Sequence, residues 1–282
     1  MLEDILFGQL TLPGELIRVV IAFIGVIAAT YYDLFNKKNV PDLFLYAFLA
    51  VAFLVNLVFY QESLFWFSLA IAFFMSAIGY LFYRVGQLGG ADVFILAAIM
   101  LLLPIHPSLS EMSFNMPFIF SVIIFSGVIF ALYMMIHFGF KLLKTDTKPN
   151  YLYLLMFVPY GLFAYVYVGS FLFSPIYFAF ITISMFAIIL MMIFKESINK
   201  LLAEELPLSQ LEQEDVLALE LMNKDLVERY KLTRLVTKSE LERLKKTKLG
   251  EVWVYTKLPP FVPFILIGMI LSLFFAKHLL LF

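Results

Sequence analysis

The stretch Gly86-Gln87-Leu88-Gly89-Gly90-Ala91-Asp92-Val93 is a polar, glycine-rich break between two apolar runs, 64–83 and 93–104. A carboxylate set against hydrocarbon costs several kcal/mol, so Asp92 is a functional candidate by default. The same holds for Asp33 in Tyr31-Tyr32-Asp33, where the apolar run 16–32 ends. Apart from these two, almost every carboxylate lies in a tail, a loop or one long charged insert.

Composition agrees with a membrane setting. Hydrophobic residues make up 63% and charged residues 15%, with a mean hydropathy of +0.95; a soluble domain has about half and about a quarter. Apolar runs lie near 16–32, 43–60, 64–83, 93–104, 117–143, 151–169, 175–194 and 260–280. In lipid only helices or closed barrels satisfy the backbone, so the runs predict helices. The expected fold is an all-α polytopic membrane protein of about eight transmembrane helices with a small helical cytosolic insert. Three parts follow: 1–194 with seven helices and the aspartate loops, 195–258 as a charged module, and 259–282 as the last helix. The run 93–104 is short for a span and needs tilt, residues 105–110 or a half-embedded loop to complete it.

The charge pattern sets an orientation. Lys37, Lys38, Arg84, Lys141, Lys144, Lys148 and the insert after Lys195 fall on one set of connections. The opposite set has none, and only Arg18 and Lys277 depart from the pattern. The excess of lysine and arginine on cytoplasmic loops then puts both termini outside. Asp33 and Asp92 both fall at the cytoplasmic face. The acidic start Met1-Leu2-Glu3-Asp4 does not read as a cleaved signal peptide.

Residues 195–257 carry 12 acidic and 12 basic residues. Ser209-x-x-Glu212 and Ser239-x-x-Glu242 predict capping boxes for two short helices, and Leu208/Leu211 and Leu217/Leu221 are helix-spaced pairs. An extended segment is expected over Glu251-Val-Trp-Val-Tyr-Thr256. The insert reads as a solvated structural module or as a docking module for a substrate leader or another subunit.

The chain has no cysteine, which excludes disulfides, thiolate catalysis and cysteine–zinc sites. A net charge of −1 without a basic block gives no nucleic-acid partner. No cofactor or metal is expected: His106, His137 and His278 are scattered, with no second ligand at i+4. Two carboxylates about 5 Å apart, at an effective dielectric near 20, repel by roughly 3 kcal/mol. Such a pair tends to share one proton. The ionised member takes a proton from water while the protonated one polarises a carbonyl. That is aspartyl peptide hydrolysis. Gly89, Gly90 and Ala91 would form a loop letting an extended substrate approach. Against this stands a structural alternative, Asp92 capping its helix, and Asp42 is read as a cap. Asp33, at a helix C-terminus, sits on the wrong end of the dipole for a structural cap, which favours a functional reading.

At these residues the chain resembles the prepilin and preflagellin (archaellin) peptidases, membrane aspartyl proteases. Asp33-Leu-Phe-Asn-Lys-Lys-Asn-Val40-Pro41-Asp42 resembles their first aspartate motif, and Gly89-Gly90-Ala91-Asp92 their Gly-x-Gly-Asp. Glu251-Val-Trp253-Val-Tyr-Thr-Lys-Leu-Pro259-Pro-Phe261-Val-Pro263 is similar to the stretch before the last helix of archaeal members. The resemblance implies Asp33 and Asp92 as the catalytic pair. It implies a substrate with a short basic leader and an apolar helix, a type IV prepilin or archaellin precursor, cut at the cytoplasmic face. Ala91 stands where the family has glycine, and Phe94 where many members have lysine. The bacterial zinc-binding cysteine loop is absent, so N-methylation of the product is not expected.

Other readings compete. Presenilin and signal-peptide peptidases also use Tyr-Asp and Gly-rich Asp motifs, but their Pro-Ala-Leu is missing. An ion-coupled transporter would use intramembrane acids, but at the midplane. Ser126 reads as a packing serine. Beyond the substrate and the bilayer, self-association as a homo-oligomer stays open as a partner choice.

Overall fold

The structure, a computed structural model, describes residues 11–36, 40–108, 116–144, 147–171, 173–247 and 249–279. The expectations placed on residues 1–4, on Lys37 and Lys38 and on the Lys277 side chain lie outside what is described. The described residues form eleven α-helices and two short strands. Each of the eight apolar runs contains a helix: α1 (Glu15–Phe35), α2 (Asp42–Val58), α3 (Glu62–Arg84), α4 (Gly90–Leu102), α5 (Phe118–Leu142), α6 (Phe157–Val168, preceded by a 3₁₀ stretch Tyr151–Met156), α7 (Pro175–Ile193) and α11 (Val262–Leu279). Five are long and apolar enough to cross a membrane: α1, α3, α5, α7 and the combined Tyr151–Val168. The apolar α2, α4 and the Val262–Ala276 part of α11 are shorter.

The short α4 is the most enclosed. Its 13 residues rise about 20 Å, against about 30 Å of hydrocarbon. It packs against α1, α2, α3 and α5, and Ile95 and residues 97–102 are buried. The deficit is made up by residues 103–107, which stay buried without being helical. Both ends of α4 are satisfied by protein rather than water, as hydrocarbon surroundings demand. At its C-terminal end Arg18, only 2% exposed, donates to the Leu102 carbonyl (3.2 Å), to Asn56 Oδ1 (2.9 Å) and to Pro13 O (2.8 Å). Asn56 Nδ2 donates in turn to Leu101 O at 2.5 Å. Arg18 therefore departs from the loop-charge pattern because it caps internal carbonyls.

Helices α1 to α4, α11 and the start of α5 share one apolar core. On α1 the buried side is Arg18, Val19, Ala22, Gly25, Val26, Ala29 and Asp33, so Asp33 continues the core stripe at helical spacing. The closest helix pair is α5 with α11. A Cβ on Gly268 would collide with Ser126 Oγ and lie 2.7 Å from the Val122 carbonyl. Ser126 Oγ donates to Val122 O (2.6 Å), which makes it the packing serine expected. The hairpin α6–α7 is peripheral: none of the 3₁₀–α6 segment is buried, and Tyr160 Oη meets Thr182 Oγ1 at 2.7 Å across it.

The insert is not purely helical as expected. Beside α8 (Lys195–Leu202), α9 (Lys224–Arg229) and α10 (Lys238–Leu244) it contains an antiparallel pair, β1 (Glu204–Pro207) with β2 (Glu251–Val254). The extended 251–256 segment needed a partner for its backbone groups, and 204–207 supplies one. Neither predicted capping box forms as drawn. Ser209 lies inside a 3₁₀ turn, and α10 is capped two residues earlier by Thr237, whose Oγ1 accepts from Glu240 N. Leu208, Leu211 and Leu217 are core residues of the module, together with Val236, Val252 and Val254. None of the three lies on an α-helix. Lys257 Nζ meets Glu204 Oε1 at 2.6 Å, which holds the Glu204 carboxyl below the ordinary carboxylate range.

Candidate active site

The polypeptide reverses between α3 and α4 through a glycine-terminated helix end. Gly86 has φ of +71°, a conformation that favours glycine. Gly86 N donates to Tyr83 O (2.8 Å) and Gln87 N to Phe82 O (3.0 Å), the paired bonds of a Schellman ending. Gly89 then caps α4, and Asp92, its third residue, accepts from Gly89 N at 3.0 Å. A Cβ on Gly89 would sit 3.0 Å from that carboxylate oxygen, so glycine makes room for the acid.

Gly89, Gly90 and Ala91 are thus not the open loop expected for substrate approach. They are the cap and first turn of α4. The space over Gly90 is taken by the protein itself: its Cβ would lie 3.3 Å from the Tyr83 ring and 3.6 Å from Glu214 Oε2. The helix begins three residues before the apolar run, where Asp92 reaches back to accept from the Gly89 N–H. Asp42 is in the first turn of α2 without a side-chain capping bond, a favourable but purely dipolar position.

Asp33 lies in the last turn of α1, 6% exposed, and its Oδ2 accepts from Val262 N at 3.1 Å. Val262 opens α11. Asp33 therefore caps the N-terminus of a helix 229 residues away, a favourable charge–dipole arrangement that the reading of its own helix alone had missed. The third sequence motif ends here: Pro263 has no N–H, which leaves Val262 as the donor. Asp92 is 7% exposed. Both aspartates are thus buried, one in the last turn of α1 and the other in the first turn of α4.

Residues 20–135 match the type IV leader peptidase family. The matched segment holds both aspartates. It ends inside α5, before the α6–α7 hairpin, the insert and α11. No curated protein and no solved structure matches the chain. Residues 20–135 are thus similar to a membrane peptidase family, and the five spanning-length apolar helices agree with a multi-pass membrane protein.

Other groups near the aspartates carry little local signal in the sequence. Tyr83 Oη donates to Glu214 Oε1 at 3.0 Å, joining α3 to the insert. Gly86 packs on Val216 of the insert, where a Cβ would lie 3.2 Å from Val216 Cγ1. The signal for Glu214 is weak in sequence, one acid among twelve in the insert. His106 and His137 lie elsewhere. His106 is buried beside Ser121 (Nε2 to Oγ 3.0 Å). His137 stacks on Tyr133 in a groove of about 370 Å³ with Lys141 and Lys144, which shares no residue with the aspartate site.

Proposed function

We propose that the protein is a membrane aspartyl endopeptidase. It removes the short basic leader from type IV prepilin-like or archaellin precursors at the cytoplasmic membrane face. Asp33 and Asp92 are the catalytic pair. The observation that supports the reading is that two buried carboxylates, at the ends of separate apolar runs, both lie inside the segment matching the leader peptidases. One carboxylate, ionised, takes a proton from the attacking water; the other, protonated, holds the scissile carbonyl and then serves the leaving amine. Each already has one oxygen fixed by a backbone N–H, which orients it for such work. Neither a nucleophilic side chain nor a methyl donor enters this chemistry.

The orientation belongs to the same proposal. All eight apolar helices cross or enter the bilayer, both termini face outside, and the insert and aspartates face the cytoplasm, as the lysine and arginine bias supports. Single cysteines at Asn36, Ser63 and Ser197 of this cysteine-free chain are expected to label from inside, outside and inside with an impermeant maleimide. Any other pattern overturns the orientation. For the activity, the purified protein in liposomes is offered a precursor with a lysine-rich leader and an apolar segment. Mass spectrometry should find one cut at their junction; an intact precursor would remove the reading.

A further inference from the structure

Glu214 is an outlier of the insert. Its φ is +72°, a region where a glutamate is strained and glycine or asparagine is preferred. The surrounding backbone holds it there: Glu214 N donates to Val236 O (2.9 Å), Val236 N to Asp215 O (2.9 Å) and Glu212 N to Asp215 Oδ2 (2.7 Å). A strained residue kept at such cost points to a use for its side chain. That side chain leaves the insert, accepts from Tyr83 Oη at 3.0 Å and lies over Gly90, two residues before Asp92.

The same part of the insert leads to the other aspartate. Two residues beyond Glu214, Val216 O accepts from Tyr255 N (2.9 Å), and Ala218 N donates to Trp253 O (2.8 Å). Lys257 N is tied to Leu202 O at 3.0 Å. A few residues on, Val262 N reaches Asp33. A continuous path results, running from Asp92 through Gly90, Glu214, Val216, Tyr255 and Val262 to Asp33. Its base is fastened to the membrane bundle, since Met134, Phe138 and Leu142 of α5 share a core with Ile198, Leu202 and Tyr255.

We propose that Glu214 is a positioning residue: by holding Tyr83 and the first turn of α4, it makes the insert a brace that fixes the spacing of the two aspartates. The functional consequence rests on the aspartyl peptidase reading. The mechanical one does not, and the test separates them.

Glu214→Gly removes the side chain and relieves the backbone; Tyr83→Phe removes the donor; Glu214→Gln keeps an acceptor. Each is made in the full-length protein in liposomes and assayed for precursor cleavage. Each is also made with spin labels on Phe35→Cys and Gln87→Cys, exposed positions beside the two aspartates. Glu214→Gly should melt no lower than the parent, yet lose kcat by roughly tenfold or more with KM nearly unchanged, because small misplacements of catalytic groups are costly. Its distance distribution should broaden. Tyr83→Phe should behave alike, the double variant should be no worse than either, and Glu214→Gln should recover most of the rate. A narrow, parent-like distribution in Glu214→Gly overturns the brace, as does an unchanged kcat in that variant. Cleavage surviving in Asp92→Asn overturns the peptidase reading instead, and the distance measurement then judges the brace alone.

Discussion

Asp33→Asn is expected to yield a folded membrane protein that no longer removes leaders, with the rate falling roughly a thousandfold or more. Asparagine keeps an oxygen for the Val262 N–H and so preserves the cap on α11. It can neither take a proton from water nor return one to the leaving amine. Asp33→Ala separates the two roles further. It leaves the Val262 donor buried without that acceptor, a cost of about 1–3 kcal/mol, so this variant should lose stability as well as activity. Asp92→Asn should resemble Asp33→Asn, since the amide oxygen still accepts from Gly89 N. Electrophoresis of a coexpressed precursor and a thermal melt in detergent read both effects. Full processing by Asp33→Asn would show that the Val262 contact is the residue's whole purpose.

Gly268→Leu is expected to leave little folded protein. The new Cβ would meet the Val122 carbonyl at 2.7 Å and the Ser126 N at 3.0 Å, both backbone atoms of α5 that no rotamer change can move. Helices α5 and α11 would have to separate, and overpacking of this kind costs about 1–3 kcal/mol or more. The effect should reach the site, because α11 begins at Val262. Gly127→Ala, on α5 with open space around it, is the control and should be neutral or slightly stabilising. Recovery of monodisperse protein after extraction measures the difference. A normal yield of Gly268→Leu would contradict the close α5–α11 contact.

The helices were legible because lipid leaves a chain few options: an apolar run must be helical, and all eight runs contain a helix. The aspartate motifs were legible because each sits where an apolar run meets a polar break. What could not be read were contacts across long separations. Nothing local to Asp33 announces a bond to Val262, and nothing local to Glu214 announces Tyr83. Arg18 stands as an exception to the charge pattern for the same reason: its guanidinium serves the Leu102 carbonyl on a distant helix. The insert was misread where propensity was weak: serine and glutamate at capping-box spacing were present, but Thr237 and the β1–β2 pairing captured the local backbone first. Close approach at Gly89 and Gly90 was expected from a substrate, whereas the neighbours in the structure are Asp92, Tyr83 and Glu214.

The account stands on Asp33 and Asp92 working as one unit. Single-turnover cleavage of a leader precursor by the parent protein, Asp33→Asn, Asp92→Asn and the double variant tests this most directly. The predicted result is that each single variant falls to the background rate and the double variant is no slower, because groups that act together are not additive. Substantial cleavage by either single variant, or losses that multiply in the double, would contradict it.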